Sequence, residues 1–479
     1  MASFIEPRIL KGFRDFLPPQ EIARRSLIET IEGSFRSFGF VPIDTPALEY
    51  ADILLGKGGG ETEKQIYRFK DNGDRDVALR FDLTVPFARF VALYQHELSL
   101  PFKRYHIAKV WRGENTQRGR YREFTQCDFD IVGSKSPAAD FEILLVMRDT
   151  FKVIGAEVTI HLNHRGLFNK FLTHINVVDR SVEILRTVDK LAKIGEGETR
   201  KLLAEIAGED GAAKILRFIN CKGSYDEILK EITELSGGPS TESRRLEILR
   251  SYMNDTGTTD SFVLDPSITR GLDYYTGIVY ETFLKEDPSI GSVCSGGRYD
   301  NLAGLYSKDQ VQISGVGSSI GLDRLVAALE HLGKLKERPS YAALAIAVRG
   351  EEDAGRCQAL AARFRSEGIP CEVLLNTEAT RTDNSKAAEG KAVDSSKATD
   401  NSKAAEGKAL TRQFIQAEKK GARWVIIPGE GSGFSGKTGE AAETGEAGQA
   451  TGITLRDLST RQNQENLSVQ DVIKLVGKV

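Results

Sequence analysis

A cluster of cationic residues lies between Pro101 and Arg122. The segment contains seven basic residues and one acidic residue, a local net charge of +6 in a chain whose total is −3. The basic residues are Lys103, Arg104, Lys109, Arg112, Arg118, Arg120 and Arg122, and the acidic residue is Glu114. Arginine guanidinium groups are planar, permanently charged and well matched to phosphate oxygens. The cluster predicts a polyanion-binding site, although basic runs are more often solvated surfaces.

The order of residues around these cations indicates a β-hairpin. KRYHIAKVWR and REFTQCDFDIVG are rich in the β-branched and aromatic residues of strands, and GENTQRGRY between them is typical of a loop. The basic residues therefore lie in and beside a hairpin loop. This arrangement favours a functional role for them over a purely solvated surface.

Cysteine and histidine spacing gives no sign of a disulfide framework or a metal site. The five cysteines, Cys127, Cys221, Cys294, Cys357 and Cys371, are widely separated and never in CxxC spacing. The six histidines, His161 and His164 among them, have no convincing metal-binding partners. We therefore expect reduced thiols and no metal bound by the protein alone.

Length and composition exclude several classes of protein. The 479 residues amount to roughly three domains of ~150 residues, and 40% hydrophobic with 28% charged residues is ordinary for a globular protein. No apolar run approaches the ~18 residues of a membrane-spanning helix, and the start MASFIEPRILKGFRDF lacks the apolar run of a secretory signal. We expect a cytoplasmic protein of two or three compact units with no membrane partner.

The elements around the basic hairpin predict a mixture of helices and antiparallel strands. Apolar residues recur at helical spacing from Glu21 to Phe38, and Gly39 supplies a stop. Strand-like runs at DVALRFDL, PFKRYHIAKVW and EFTQCDFDIVG follow without the long helices that a parallel βαβ array needs. The pattern favours an α+β fold with an antiparallel β-sheet flanked by helices.

Changes in pattern divide the chain into domains. Long charged helical segments between about residues 167 and 253 predict a helical insertion in one larger domain. Pro339 marks a break, after which AALAIAVRG, AGRCQALAARFRSEG and IPCEVLL alternate as strand, helix and strand. We predict one domain over residues 1–335 and an α/β domain over residues 341–479.

Two low-complexity segments, 376–409 and 431–452, interrupt the second domain. DNSKAAEGKA begins at Asp383 and again at Asp400, and the second segment is rich in Gly, Ala and Thr. The first has too little apolar surface to offset the entropy of ordering. We expect it to be disordered, with a helix beginning near Leu410.

Four ordered motifs resemble those of a known enzyme family. FKRYHIAKVWRGENTQRGRYREFTQCDFD resembles motif 2 of class II aminoacyl-tRNA synthetases, and GVGSSIGLDRL at 315–325 resembles their motif 3. RGLDYYTGIVYE at 270–281 and SGGRYDNL at 295–302 are similar to the two histidine-specific motifs of the histidyl-tRNA synthetases. FGFVPIDTPALE at 38–49 is similar, more loosely, to the dimer-forming motif 1. The resemblance implies a homodimer of class II catalytic domains, each with a C-terminal α/β anticodon-binding domain.

The resemblance also implies an activity and its residues. The activity is ATP-dependent conversion of L-histidine to histidyl-adenylate and transfer to the 3′ end of histidine tRNA. The implied catalytic residues are Arg112, Arg270 and Arg324. The implied ATP site consists of Arg112, Glu114, Phe124 and Arg324. The implied histidine site consists of Asp82, Leu83, Thr84, Arg112, Gln126, Asp130, Arg270, Tyr274 and Tyr275. Gln117 and Arg118 match positions that contact tRNA.

Two details qualify this assignment. Asp82 and Asp130 stand where many bacterial members of the family carry Glu, a difference that retains the charge. ATP is expected as a substrate with Mg²⁺ on its phosphates, which usually supply much of the coordination, so no protein ligand is named.

Two other functions fit part of the sequence. Noncatalytic paralogues that regulate ATP phosphoribosyltransferase in histidine biosynthesis lose parts of the catalytic set and lack the anticodon domain. This chain has Arg112, Arg270 and Arg324 as well as the C-terminal unit. An RNA-binding module that uses the hairpin only electrostatically does not explain the histidine-specific motifs. We therefore expect a histidine–tRNA ligase.

Overall fold

The computed structural model describes residues 4–56, 65–268, 275–306, 312–375, 398–429 and 452–477. The chain divides into two compact units. The first comprises Met1–Asp15 and Arg25–Leu335, and the second comprises Phe16–Arg24 and Lys336–Val479.

The described residues before position 336 contain eleven strands and ten α-helices. The strands are β1 Val41–Pro42, β2 Leu48–Tyr50, β3 Arg68–Lys70, β4 Asp76–Leu79, β5 Phe102–Trp111, β6 Glu123–Val132, β7 Val158–His164, β8 Phe262–Leu264, β9 Ile278–Leu284, β10 Cys294–Tyr299 and β11 Gly315–Gly321. The helices are α1 Pro18–Ser37, α2 Ala51–Leu55, α3 Thr84–Tyr94, α4 Pro137–Ile154, α5 Arg165–His174, α6 Ser181–Val188, α7 Leu191–Ile219, α8 Tyr225–Leu235, α9 Thr241–Asp255 and α10 Leu322–His331.

Eight strands of the first unit form one sheet in the order β1-β5-β6-β11-β10-β9-β7-β8. Its neighbouring strands are antiparallel except for the pairs β1/β5 and β7/β8 at the two edges. Strands β2, β4 and β3 form a separate antiparallel sheet. The predicted α+β fold with an antiparallel sheet is confirmed.

Alternation along β6 separates the core from the functional face of the large sheet. Cys127, Phe129 and Ile131 are buried in the main hydrophobic core, where the Phe129 ring lies 4.7 Å from the ring of Phe35 in α1. Because successive side chains of a strand point to opposite faces, Gln126, Asp128 and Asp130 share the other face. The polar face is therefore fixed by the packing of the apolar one.

Helices α5–α9 follow β7 and precede β8. Helix α7 is interrupted at Gly195 and Gly208, where φ is +79° and +75°, a conformation that glycine adopts without steric cost. Capping boxes at Ser224 and Ser240 begin α8 and α9, so each helix start is specified by its own sequence.

The second unit has its own sheet and core. Its strands are β12 Leu344–Ile346, β13 Cys371–Val373, β14 Trp424–Ile427, β15 Ile453–Asp457 and β16 Asn463–Leu467, and its further helices are α11 Ala354–Ser366, α12 Ala398–Lys419 and α13 Val469–Val476. The order is β13-β12-β14-β15-β16, with β12 parallel to β13 and β14 and the remaining pairs antiparallel. The predicted strand, helix, strand alternation is present.

One expectation for this unit is wrong. The helix expected to begin near Leu410 begins at Ala398, so residues 398–409 belong to α12 rather than to a disordered segment. The Ala, Lys and Glu content of that stretch is favourable to helix, which explains the longer element. The remaining low-complexity residues, 376–397 and 430–451, lie outside the described residues.

No helix in the described ranges is long and apolar enough to cross a membrane.

Candidate active site

The site is built on the hairpin of β5 and β6. Trp111 pairs with Glu123 at the loop end, and the pairing continues to the far end of both strands. The backbone N–H of Arg112 donates to the carbonyl of Arg122 at 2.9 Å, which closes the strand pair before the loop. The predicted hairpin is confirmed, and it holds the loop cations at one end of the sheet.

A cleft with a volume of about 190 Å³ lies beside this loop. It is lined by Arg112, Glu114, Gly119, Arg120, Tyr121, Phe124, Gln126, Ser292, Val293, Cys294, Ser295, Ser319, Gly321, Asp323 and Arg324. The structure thus brings all four predicted ATP-binding residues, Arg112, Glu114, Phe124 and Arg324, to one cavity. They come from the loop, from β6 and from the first turn of α10.

Arg112 is anchored through its Nε atom, and its side chain lines the cleft. Its Nε donates to the Phe81 carbonyl at 2.8 Å, and its guanidinium carbon lies 5.2 Å from the centre of the Phe124 ring. Its Nη1 is 3.8 Å from Glu114, whose other oxygen is 3.5 Å from Arg120. Glu114 therefore lies between two arginines that can turn towards an anion.

The opposite wall is the junction of β11 and α10. Arg324 Nη1 donates to the Ser292 carbonyl at 2.6 Å. Asp323 accepts from the Thr125 backbone N–H at 2.6 Å and pairs with Arg14 through its other oxygen. The Asp323 carboxylate thus ties β6 to α10 and fixes Arg324 beside the cleft.

Gly119 allows the loop to approach this wall. Its φ is +69°, and a Cβ atom there would lie 3.3 Å from the Cα of Arg324. A side chain would be strained by the backbone and crowded by the neighbour. Glycine at position 119 therefore allows the loop beside Arg112 and the helix that carries Arg324 to lie close enough to contact one ligand.

The far end of the same sheet face is acidic and buried. Asp130 Oδ1 accepts a hydrogen bond from the Tyr299 hydroxyl at 2.6 Å, and Oδ2 forms an ion pair with Arg104, whose Nη2 lies 2.7 Å away. Arg104 is fully buried, 4.0 Å from the centre of the Phe87 ring. A Cβ on Gly317 would be 1.8 Å from Asp130 Oδ1, so only glycine leaves room for this carboxylate.

The segment Asp82–Thr84 adjoins this acidic end. Asp82 Oδ1 accepts from the Val85 N–H at 3.0 Å and so holds the first turn of α3. The Leu83 carbonyl accepts from Arg104 at 3.5 Å, and the Thr84 hydroxyl lies 3.5 Å from Asp128 Oδ2. The structure brings Asp82, Leu83 and Thr84 together with Asp130, as the sequence predicted.

Burial changes the acidity of these carboxylates. It raises the pKa of Asp128 to about 7, with Arg104 opposing the change. It also raises the pKa of Asp130, against the influence of Arg104 and the Tyr299 hydroxyl. The site therefore disfavours negative charge that no cation or donor balances.

The other predicted residues are placed as follows. Gln126 lines the cleft and donates to the Ser319 hydroxyl at 2.9 Å. Tyr275 is partly buried near Tyr299. Gln117 and Arg118 are exposed in the loop, where Arg118 donates to the Ala327 carbonyl at 3.3 Å. Arg270 and Tyr274 lie outside the described residues.

Sequence reasoning missed four contributors to the site, namely Arg104, Asp128, Asp323 and Tyr299. The sequence places Arg104 among the basic residues in and beside the loop, whereas in the structure it is fully buried and pairs with Asp130 on the polar sheet face. The alternation in FTQCDFD was a usable signal for Asp128, because it places residue 128 on the face of residues 126 and 130. Nothing in the sequence alone pairs Asp323 with Thr125.

No group of three or more His, Cys, Asp or Glu side chains that could hold a metal ion occurs within the described part of the chain. All five cysteines are free thiols.

Comparison with known proteins agrees with these features. A family model described as histidyl-tRNA synthetase matches residues 12–325. A protein of Treponema denticola named histidine–tRNA ligase is 54% identical over 380 residues, which are 78% of this chain and 84% of the relative. One of Rhodopirellula baltica with the same name is 48% identical over 378 residues, 77% of this chain and 85% of the relative.

Solved structures extend the likeness to the whole fold. The crystal structure of histidyl-tRNA synthetase from Nostoc sp. PCC 7120 has a TM-score of 0.79 and 27% identity, covering 99% of this chain and 100% of that chain. A Bacillus halodurans protein titled ATP phosphoribosyltransferase regulatory subunit/histidyl-tRNA synthetase has a TM-score of 0.64 and 21% identity, covering 78% of this chain and 93% of that chain, and shares the fold. On the strength of the family match and the identity to its members, the chain belongs to the histidyl-tRNA synthetase family.

Proposed function

We propose that this protein is a histidine–tRNA ligase, which activates L-histidine with ATP and transfers it to the 3′ end of histidine tRNA. The observation that carries the proposal is the polarity of one sheet face. Arg112 and Arg324 line an open cleft at one end, and the buried carboxylates Asp82 and Asp130 lie at the other. A triphosphate and a cationic amino acid fit these two ends.

Adenylate formation requires positive charge around the reacting phosphates, which the cationic end of the sheet face supplies. The histidine carboxylate attacks the α-phosphate, a bond forms between carboxylate oxygen and phosphorus, and pyrophosphate leaves with its electron pair. Arg112 and Arg270 hold the α-phosphate from two sides, and Arg324 holds the outer phosphates. Such fixed charges act where negative charge develops in the transition state.

The adenine lies between the hairpin residues Glu114 and Phe124. Phe124 offers an aromatic face beside Arg112, and the Glu114 carboxylate can accept from an amino group. Mg²⁺ accompanies the ATP and is held largely by the phosphates. The two carboxylates of the cleft lining, Glu114 and Asp323, are already engaged with arginines, so we assign no protein ligand to the ion.

Histidine occupies the acidic end. Asp82 and Thr84 hold its ammonium and carboxylate groups, with help from Leu83, Gln126 and Tyr274, and its imidazole lies towards Asp130 and Tyr275. A pocket built to hydrogen-bond a ring nitrogen rejects amino acids that lack one, since its own polar groups would stay unpaired. The acidic surroundings also suit a substrate that carries an ammonium group.

The hairpin loop and the second unit serve the tRNA. Gln117 and Arg118 are exposed at the loop tip, from which they can reach the acceptor end of the tRNA, and the α/β unit over residues 341–479 binds the anticodon. The free thiols are consistent with action in the cytoplasm, a reducing compartment.

The active form is a homodimer. Strand β1 is an edge of the large sheet, and its Val41 is 47% exposed. In the small sheet, Tyr50 of β2 and Phe69 of β3 are 54% and 47% exposed. An open sheet edge and exposed apolar side chains are suited to pairing with a second copy. Light scattering of the purified protein should give twice the chain mass.

The decisive experiment is histidine-dependent ATP–pyrophosphate exchange with the purified full-length chain, followed by charging of histidine tRNA. We expect both activities. A noncatalytic regulatory subunit would show neither, and a simple RNA-binding module would bind tRNA without exchange. Absence of exchange in a folded, ATP-supplied sample would reject the proposed function.

A further inference from the structure

A short segment near the start of the chain, residues 11–14, has no task in the function proposed above. It has the sequence KGFR and lies in the same compact unit as the cleft. Its residues contact the hairpin loop and the first turn of α10, which form two walls of that cleft. Arg14 contacts both walls, although it does not itself line the cavity. Arg14 can therefore act on a bound ligand through the residues that do line it.

The backbone of this segment is joined to the base of the loop. The Gly12 carbonyl accepts from the Arg122 N–H at 2.8 Å, and the Arg122 carbonyl accepts from the Arg112 N–H at 2.9 Å. Arg122 thus links residue 12 to the arginine assigned to the α-phosphate. Gly12 has a φ of +88°, and a Cβ atom there would lie 2.7 Å from Arg122 Cγ, so this close approach requires glycine. The sequence of the segment therefore specifies its attachment to the loop.

The Arg14 guanidinium bridges the two walls of the cleft. Its Nη1 donates to the Tyr121 hydroxyl at 3.0 Å, and its guanidinium carbon lies 3.9 Å from the centre of the Tyr121 ring. Its Nη2 donates to Asp323 Oδ1 on the other wall. Tyr121 and Asp323 both line the cavity. One side chain therefore fixes the position of the loop relative to α10.

Arg14 also balances the charge of Asp323. The Asp323 side chain is only 4% exposed, and its Oδ2 accepts from the Thr125 backbone N–H, a donor without net charge. A buried carboxylate beside a triphosphate site repels the ligand unless a cation neutralises it. Arg14 supplies such a cation through its ion pair with Asp323. Its removal would leave an uncompensated negative charge in a wall that receives the phosphates.

We propose that Arg14 is a positioning residue for ATP, which holds the hairpin loop against α10 and neutralises Asp323 so that the cleft accepts a triphosphate. The inference rests on the proposed function and adds a residue that acts on ATP through Tyr121 and Asp323. Because histidine is assigned to the other end of the sheet face, Arg14 governs the binding of ATP and leaves that of histidine nearly unchanged.

The test separates the two substrates in the pyrophosphate-exchange assay of the full-length protein. KM and kcat are measured for ATP at saturating histidine and for histidine at saturating ATP, in the wild type, Arg14→Ala and Arg14→Lys. We expect Arg14→Ala to raise the KM for ATP at least about tenfold and that for histidine less than about twofold. Arg14→Lys keeps the charge and should bring the KM for ATP to within about threefold of the wild-type value. A loss of folded protein alone would lower kcat for both substrates and leave both KM values unchanged.

The matched control is Arg8→Ala. Arg8 is exposed, precedes the segment in the chain and does not line the cleft. Its removal takes the same charge from the same part of the chain and should change the KM for ATP less than about twofold, as expected for a solvated side chain. The comparison therefore separates the position of Arg14 from the general charge of the N-terminal stretch.

A second variant keeps the inference testable if Arg14→Ala folds poorly. Tyr121→Phe removes the hydroxyl that accepts from Arg14 and keeps the ring. We expect it to raise the KM for ATP about threefold and to leave the KM for histidine unchanged. Its further effect in Arg14→Ala should be smaller, because the two groups act through one contact.

The inference is overturned if the KM for ATP stays within about twofold of the wild-type value in folded Arg14→Ala or, where that variant does not fold, in Tyr121→Phe. It is also overturned if the two KM values rise together in Arg14→Ala, or if Arg8→Ala has the same effect. Calorimetric titration of ATP into the wild type and Arg14→Ala gives the same comparison without turnover. Absence of exchange in the wild type would reject the proposed function, whereas equal ATP affinities of the two proteins would reject the inference, so the two failures are distinguishable.

Discussion

The two ends of the polar sheet face hold their charged residues in different ways. At the phosphate end, Arg112 and Glu114 expose 26% and 25% of their side chains and stand 3.8 Å apart. At the histidine end, Arg104 and Asp130 expose 0% and 3%, and their closest atoms are 2.7 Å apart. The first pair is loose and reachable by solvent, whereas the second is locked into the protein interior.

This difference in exposure separates a charged pair that can bind a ligand from one that holds the structure together. A partly exposed, loosely spaced pair contributes little to stability, so Arg112 can leave Glu114 for a phosphate. A buried pair instead fixes the positions of the elements that carry it. Removing one partner leaves the other charge buried, with neither a counter-charge nor water to stabilise it. We therefore expect substitutions at the phosphate end to change rates and substitutions at the histidine end to change both stability and selectivity.

The largest effect is expected at Arg112. Arg112→Ala removes a charge directed at the α-phosphate, and such a loss commonly costs about 3 kcal/mol of transition-state stabilisation, or more than a hundredfold in rate. Steady-state pyrophosphate exchange measures this loss. The thermal midpoint should move little, since the side chain is partly exposed and its pairing is weak.

The matched control is Lys109→Ala on the same hairpin. Lys109 is half exposed, pairs with Glu123 at 2.7 Å and does not line the cleft. Its removal should change exchange less than about twofold, as expected for a surface ion pair. Equal losses in the two variants would mean that the general charge of the hairpin, rather than the position of Arg112, supports the reaction.

The second largest effect is expected at the buried pair. Asp130→Asn leaves Arg104 buried beside a neutral group, and breaking a buried pair from one side typically costs about 3–5 kcal/mol. Urea unfolding of the first unit, followed by tryptophan fluorescence, measures the cost. The double variant Arg104→Met/Asp130→Asn should lose less than Asp130→Asn alone, because no charge is then stranded. A single-variant loss below about 1 kcal/mol would contradict the comparison.

Much of the phosphate end could be predicted from the sequence, whereas the histidine end could be predicted only in part. Arg112, Glu114 and Phe124 are close together in the chain, so one hairpin places them, and hairpins follow from local alternation. Arg324 comes from a separate motif whose position relative to the loop depends on the Asp323 contact with Thr125 across the sheet. Local patterns do not encode such long-range contacts.

The burial of Arg104 was the main feature that sequence alone could not supply. Seven cations within one short segment suggest one common surface, yet alternation along β5 sends Arg104 inward, over the ring of Phe87 in α3. Its partner Asp130 is the antiparallel neighbour in register. Register is set by the full sheet, so the pairing becomes visible only when β5, β6 and β11 are assembled.

The third prediction concerns the pH dependence of stability at the histidine end. Asp128 has its pKa raised by burial from an ordinary value of 3.8 to about 7 in the folded protein. The folded protein therefore binds the Asp128 proton more tightly than the unfolded chain does. The stability that this proton gives is complete below about pH 4 and is lost as the pH rises towards 7, because the unfolded chain releases the proton first. Asp128→Asn lacks this decline. The variant should gain on the wild type by up to about 1.4 kcal/mol for each pH unit in that range.

The neighbours of Asp128 do not reverse this sign. Arg104 favours its ionised form, and Asp130 and Asp82 oppose it. His106, directly across in register, has its pKa lowered to about 3 by burial and by Arg104, so it stays neutral between pH 4 and 7. Unfolding curves of both proteins at pH 5, 6, 7 and 8 measure the difference. A difference that stays constant over this range would show that Asp128 ionises normally in the folded state.

The smallest effect is expected at the loop tip, beyond the phosphate end. Arg118 is exposed, and its one hydrogen bond in the described residues is to the Ala327 carbonyl at 3.3 Å, so burial does not fix its position. Arg118→Ala should raise the KM for histidine tRNA by roughly threefold to tenfold, with a weaker salt dependence because one phosphate contact is gone. Aminoacylation should fall more than pyrophosphate exchange, since tRNA takes no part in the latter. If exchange falls as much as charging does, Arg118 acts on ATP, and the loop tip belongs with Arg112 rather than with the tRNA.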